Sequence, residues 1–359
     1  MRKRRLSIGM PPRAPHKALA GVLAAGLLAA VASCSGDGTD KITFGISVPT
    51  MSPGWIALAV AEKQGYFKAE GIEVLPQFLG SSGNVLQSMT VGRTEIGTPT
   101  PEALLPAIDK GQDVQMVYQW TRGPVQSFAV LPDSEIREVD DLRGKTIGVP
   151  DLSSGVKQLA DASVSQAGMD PEKDVRYLSV DVGVAAWDAL NRHRVDALMI
   201  WDTEYAAMEN TGAELRYMRA DGIDDLFSTT FAANREWSEE HPGDIEAFGR
   251  AWTKATIWAS ENPEEAVKVM WELYPETKTG RDEEDLLEDH VNILKAREES
   301  VLLGDPEVSG TWGEYDPDAV RKWVDFATET ELISPGLDVD EVYTNRFAAA
   351  YNAFDPDSL

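Results

Sequence analysis

The sequence predicts an α/β protein of two lobes, each a mainly parallel sheet flanked by helices, joined by two hinge strands. Three observations predict it. Strand and helix patterns alternate over residues 41–116, they alternate again over 145–202, and two apolar extended stretches, 126–131 and 228–233, bracket the second run. Repeated strand–helix order is what helices packed on a parallel sheet require.

The elements follow in order. Ile42, Phe44, Ile46 and Val48 place apolar side chains at every second position, the period of a strand. A turn over 49–54 leads to a helix over 55–64, stopped by Gly65. A strand starts at Ile72 and ends by Gly80, Ser81-Ser82-Gly83 opens a helix through Met89, and 95–97 is a very short strand. Thr100 is placed to cap a helix with Pro101 at its first position, where a missing N–H costs nothing, and Pro106 should bend or shorten it. A strand over 114–118 closes the first run. In the second, strands are expected at 145–149, 175–180 and 196–200, with helices opening at Ser153-Ser154-Gly155 and over 184–193. From Pro242 on, the pattern is helical: 243–260, 263–274, 281–300, 317–330 and 340–352, segments expected to complete the first lobe. The division is 41–127 with 232–359 for one lobe and 128–231 for the other.

The beginning of the chain addresses it to the outside of the cell. Arg2, Lys3, Arg4 and Arg5, then Arg13 and Lys17, precede an apolar run from Ala18 to Ala32, which is shorter than the roughly 20 residues a spanning helix needs. A basic start, a short apolar stretch and small residues before a cut make a secretory signal, here 1–33. Arg4-Arg5 leaves general and twin-arginine export both open. Val31-Ala32-Ser33-Cys34 is similar to a bacterial lipobox, which implies lipid on Cys34 and a flexible polar tether over 34–40. Cys34 is the only cysteine, so an internal disulfide is excluded. With 60 Asp and Glu against 33 Lys and Arg, the formal charge of −27 disfavours nucleic acid, whose phosphates it repels.

Four stretches carry a family resemblance. Ala61 to Val74 (AEKQGYFKAEGIEV), Gly80-Ser81-Ser82-Gly83 with Met89 to Gly97, Asp141 to Pro150 (DLRGKTIGVP), and Val195-Asp196-Ala197-Leu198 leading to Trp201-Asp202 together resemble the substrate-binding proteins of the taurine, alkanesulfonate, nitrate and thiamine-precursor class of ABC importers. The resemblance implies a periplasmic-binding-protein fold of the type II kind that closes over a small molecule, acts as a monomer, and serves a permease and its ATPase while tethered to the membrane by lipid. Asp202 departs from the taurine binders, which carry an uncharged residue after the tryptophan, and so the ligand stays open between a sulfonate and a nitrogen heterocycle such as a thiamine-precursor pyrimidine. A sensory subunit would capture ligand in the same way.

In open α/β sheets ligands sit beyond the carboxyl ends of the strands. That rule selects Trp55, Ser81, Ser82, Gly83, Thr100, Glu102, Trp120, Ser153, Ser154, Gly155, Trp187, Trp201 and Asp202 as candidate ligand residues. The two Ser-Ser-Gly turns each open a helix, whose free N–H groups suit an anion; plain capping by Ser82 and Ser154 is the competing account. The four tryptophans offer an aromatic wall or, equally, core packing. Glu102 and Asp202 are the acidic candidates, Asp202 with an alternative as a helix cap, and Arg122 is the nearby cation. No metal or cofactor is expected: Asp282 to Asp285 with Glu288 and Asp289 lacks the glycine turn of a calcium loop and reads as a solvated helix face. No catalytic motif is visible. The fold's pyrimidine-forming enzymes use clustered cysteines and a histidine, which one cysteine and the scattered His193, His241 and His290 do not supply.

Overall fold

The structure, a computed structural model, describes residues 40–280, 282–302, 311–356 and 359. The signal expected over 1–33 and Cys34 lie outside the described residues. The first sheet comprises β1 (Asp40–Ile46), β2 (Ile72–Phe78), β3 (Ile96–Gly97), β4 (Val114–Gln119) and β10 (Thr230–Asn234), in the order β2-β1-β3-β10-β4. The second holds β5 (Gln126–Val130), β6 (Thr146–Val149), β7 (Arg176–Ser179), β8 (Ala197–Trp201) and β9 (Arg216–Met218), in the order β7-β6-β8-β5-β9. The two orders are the same pattern. In each sheet the fourth place goes to a strand that runs antiparallel to its neighbours: β10 between β3 and β4, and β5 between β8 and β9. Each sheet is therefore mixed, four strands one way and one the other.

Those two antiparallel strands are the stretches the sequence marks as hinges. They are sheet strands, and the crossings lie just before them: 120–125 leads into β5 and 219–229 leads into β10. The crossings are tied to each other. Thr121 Oγ1 accepts from the backbone N–H of Ser228 and Thr229, at 3.1 and 2.6 Å, and Thr121 N donates to Thr229 O at 3.0 Å.

The helices on the first sheet are α1 (Ile56–Lys63), the short α2 (Tyr66–Ala69), α3 (Ser82–Thr90) and α4 (Pro101–Asp109), preceded by a 3-10 turn at Pro53–Trp55. On the second lie α5 (Gly155–Gln166), α6 (Val184–Asn191) and α7 (Asp202–Glu209). The C-terminal part adds α8 (Arg235–Glu240), α9 (Pro242–Glu261), α10 (Pro263–Leu273), α11 (Glu283–Val301), α12 (Pro317–Glu329) and α13 (Ala348–Tyr351). The helix expected over 340–352 is only a 3-10 turn at Val339–Glu341 and the four residues of α13. α2, α8 and β9 are too short to leave a periodic signal, and the sequence pattern misses all three. No helix among the described residues is long and apolar enough to cross a membrane.

One face of the first sheet packs Phe44 and Phe231 against Phe248 and Trp252 of α9, ring to ring at 4.9–5.8 Å. Its other face, with α3 and α4, joins an apolar cluster that continues into the second lobe. Val85, Leu104 and Leu105 belong to the same contiguous set as Phe128, Val149 and Val156, with Trp323 of α12. The lobes are thus in contact, a closed arrangement. α12 reinforces it, because Trp323 Nε1 donates to Phe227 O of the returning crossing at 2.7 Å. The C-terminal helices do more than complete the first lobe: Asn210, just after α7, donates to Asp289 O of α11 at 2.8 Å, so α11 bridges to the second.

Candidate ligand-binding cleft

The helix starts at the strand ends converge. Ser81 takes the N-cap of α3, its Oγ accepting from Asn84 N at 3.2 Å. Ser82 is therefore released from capping, and its hydroxyl lies 3.1 Å from Thr100 Oγ1 and accepts from Thr100 N at 3.2 Å. Thr100 holds the N-cap position of α4 in extended backbone, but its hydroxyl makes no capping bond. From the other lobe Ser154 caps α5, accepting from Lys157 N at 3.2 Å, and delivers Gly155 into the same space. A Cβ on Gly155 would stand 2.5 Å from Thr100 Oγ1 and 3.1 Å from Glu102 Oε1, so glycine is what lets α5 meet α4. A second close approach joins the 3-10 turn before α1 to α7, where a Cβ on Gly54 would meet Thr203 Cγ2 at 2.8 Å.

These starts surround a cavity of about 60 Å³, lined from both lobes by Trp55, Ser81, Ser82, Thr100, Ser154, Gly155 and Trp201, and also by Ser47, Gln126, Asp151, Thr229 and Arg297. A single water needs roughly 10–15 Å³ of such room, so the space holds a few waters or one compact headgroup. The N-terminal ends of α3, α4 and α5 face it, each carrying the partial positive charge of its helix dipole.

The remaining candidates lie elsewhere. Gly83 sits inside the first turn of α3, facing Ser153 O. Ser153 is exposed and turns both its N–H and its hydroxyl onto Asp151 Oδ1, at 2.7 and 2.6 Å. Trp120 packs behind Trp55, centroids 4.7 Å apart, and against Trp252. Trp187 packs on the far cluster of the second lobe around Leu190 and Ile200. Glu102 is completely buried behind the wall formed by Gln126 and Gly155.

Asp202 neither lines the cavity nor caps α7, whose N-cap is Trp201. Its carboxylate is held bidentately by Arg297 of α11, with Nε at 3.0 Å and Nη2 at 2.6 Å. Burial pushes the Asp202 carboxyl up, and the Arg297 guanidinium pulls against that. Arg297 also lies over the Trp120 ring, Cζ 5.5 Å from its centroid. Arg122, the cation expected from the sequence, reaches Thr311 O instead, at 3.0 Å. Arg297 is a cavity-lining residue that sequence reasoning misses. The signal is present, since Arg297 shares the buried face of α11 with Leu294 and Val301, a charge on an apolar stripe. No group of side chains able to hold a metal ion occurs among the described residues.

A family model described as NMT1/THI5 like matches residues 52–266, from the turn before α1 into α10. The chain belongs to the NMT1/THI5-like family. Relatives of this NMT1/THI5-like chain differ in what they do. Riboflavin-binding protein RibY of Chloroflexus aurantiacus is 25% identical over 296 residues, 80% of this chain and 80% of that protein. The 4-amino-5-hydroxymethyl-2-methylpyrimidine phosphate synthase of Legionella pneumophila is 23% identical over 233 residues, 64% of this chain and 72% of the synthase. The crystal structure of the periplasmic aliphatic sulphonate binding protein SsuA from Escherichia coli superposes with a TM-score of 0.64 at 16% identity, covering 86% of this chain and 93% of that one. That match establishes the periplasmic-binding-protein fold.

Proposed function

We propose that this chain is an extracytoplasmic solute-binding lipoprotein of an ABC import system, and that its ligand is a small organic anion of the sulfonate kind. The observation that carries the reading is the convergence of α3, α4 and α5, from both lobes, on one cavity beside Arg297. Each helix start favours an anion by about 0.3–1 kcal/mol, and by up to about 2 kcal/mol where partly buried. Arg297 adds directed donors, while its pairing with Asp202 keeps the local formal charge near zero. Ser82 and Thr100 supply hydroxyls, and Trp55 and Trp201 give the organic part of the ligand a flat apolar wall.

Binding from two lobes also explains how capture is signalled. Groups that meet only in the closed form bind ligand more tightly there, and a ligand shifts an equilibrium only by its differential affinity for the two states. The closed cavity takes a headgroup, so a bulkier body enters only with the lobes apart. A binding role over the synthase role of the Legionella relative is supported by the lining itself, which contains neither cysteine nor histidine.

A thermal-shift panel of ethanesulfonate, taurine, nitrate, a hydroxymethylpyrimidine and riboflavin tests the reading, because ligand binding raises apparent stability by mass action. Stabilisation by the sulfonates, lost in Arg297→Ala, is expected. Stabilisation by the heterocycles alone would overturn the anion assignment.

A further inference from the structure

Glu102 stands in the first turn of α4, fully buried, on the seam where α4 meets α5 of the other lobe. Its Oε1 receives Gln126 Nε2 at a long 3.4 Å, and its Oε2 has no hydrogen-bond partner in the protein. Gln126 continues the chain of contacts, since its Oε1 accepts from Ser228 Oγ at 2.6 Å in the returning crossing. Glu102 thus connects the seam to the hinge.

The charges on the surrounding elements are committed elsewhere. Lys157 and Asp161 of α5 pair with each other at 2.6 Å. α3 and β5 carry no charged residue. On α12, Arg321 pairs with Asp318 and Lys322 with Asp225, leaving Asp325 and Glu329 as further acids of that helix. Arg219 is bonded to Gln126 O and Asp224. Across the cavity stand Asp151 and the Asp202–Arg297 pair. An ionised, unpaired carboxylate sealed in such a place is costly, and a protonated one is not.

We infer that closing the lobes over an anionic ligand takes up one proton from solvent on Glu102, so that this protein captures its ligand together with a proton. The inference rests on the anion reading above. Burial is the dominant influence on this carboxyl and pushes it up to about 7, against lesser pulls from its own backbone N–H and the Thr100 hydroxyl. Opening the seam returns it to water and to an ordinary value near 4.5. The closed form has the higher value, so closure is favoured fully below about 4.5 and the advantage is lost as pH rises to about 7.

Calorimetry of the purified full chain with ethanesulfonate, which stays ionised throughout, tests this. Affinity should fall about ten-fold per pH unit between those limits and then level off. At pH 6, titrations in two buffers of different ionisation enthalpy should report uptake of close to one proton. Glu102→Gln, a neutral isostere, should bind with no pH slope and no proton uptake. A flat wild-type profile, or a slope retained in Glu102→Gln, would overturn the proposal. If ethanesulfonate binds at no pH, the anion reading falls instead. Infrared difference spectra of wild type minus Glu102→Gln at pH 6 then decide the carboxyl directly: a protonated-acid band supports the inference, and its absence overturns it.

Discussion

Asp202 and Arg297 form a bidentate ion pair between the first residue of α7 and the buried face of α11, with side chains 14% and 6% exposed. A pair so placed serves two purposes: it bridges the C-terminal helices to the second lobe, and it aims a guanidinium at the cavity. Removing one partner leaves a buried charge uncompensated, which costs about 3–5 kcal/mol. Arg297→Ala and Asp202→Ala should each lower the urea midpoint accordingly. The double variant Arg297→Met with Asp202→Asn should recover most of the stability and still fail to bind a sulfonate.

Gly155→Ala separates closure from folding. The residue opens α5 with ordinary backbone, so alanine is tolerated by the helix itself, but its Cβ intrudes on Thr100. The circular dichroism spectrum should match wild type. Small-angle scattering with ligand present should show a larger radius of gyration than wild type, and affinity should drop ten-fold or more, a bias of about 1.4 kcal/mol against the closed form.

Trp201 and Trp187 should part company in a binding assay. Trp201 lines the cavity and Trp187 does not. Trp201→Ala is expected to weaken ligand affinity ten-fold or more, and Trp187→Ala to leave it within about two-fold. Equal losses in both would mean that the ligand lies nearer α6 than the helix starts.

Glu204 makes stability depend on pH. Burial, with Asp202 and Asp181 nearby, lifts its carboxyl to about 7, while the Gly183 N–H pulls the other way. A value raised in the folded state means a contribution present below about 4.5 and lost as pH rises through about 7. Glu204→Gln should therefore match wild type near pH 4.5 and be about 1–3 kcal/mol more stable at pH 8, read from urea denaturation.

Cys34→Ala tests the anchor. Without the thiol there is no attachment point for lipid, and cell fractionation should move the protein from the membrane to the soluble extracytoplasmic pool. Continued membrane retention would refute the lipobox reading.

Periodicity exposed the architecture because the longer strands carry either alternation or a buried apolar run, as in Ile42 to Ile46 and Ala197 to Ile200. β9, three residues with Tyr217 turned to solvent, offers neither. The residues the strand-end rule selects include Ser81, Ser82, Thr100, Ser154 and Gly155, which line one cavity because helix starts there are fixed by local backbone. Asp202 and Trp120, which it also selects, do not line that cavity. Both meet Arg297 of α11, 95 residues after Asp202 and further still from Trp120, and no local pattern encodes that partner.

The positive helix ends at the cavity are divided between the two lobes, α3 and α4 on one side and α5 on the other. A molecule held there is gripped by an electrostatic arrangement that exists only while the halves stay together. Whatever pulls them apart unbinds the cargo without competing for it, because the positive end of α5 departs with its own half of the protein.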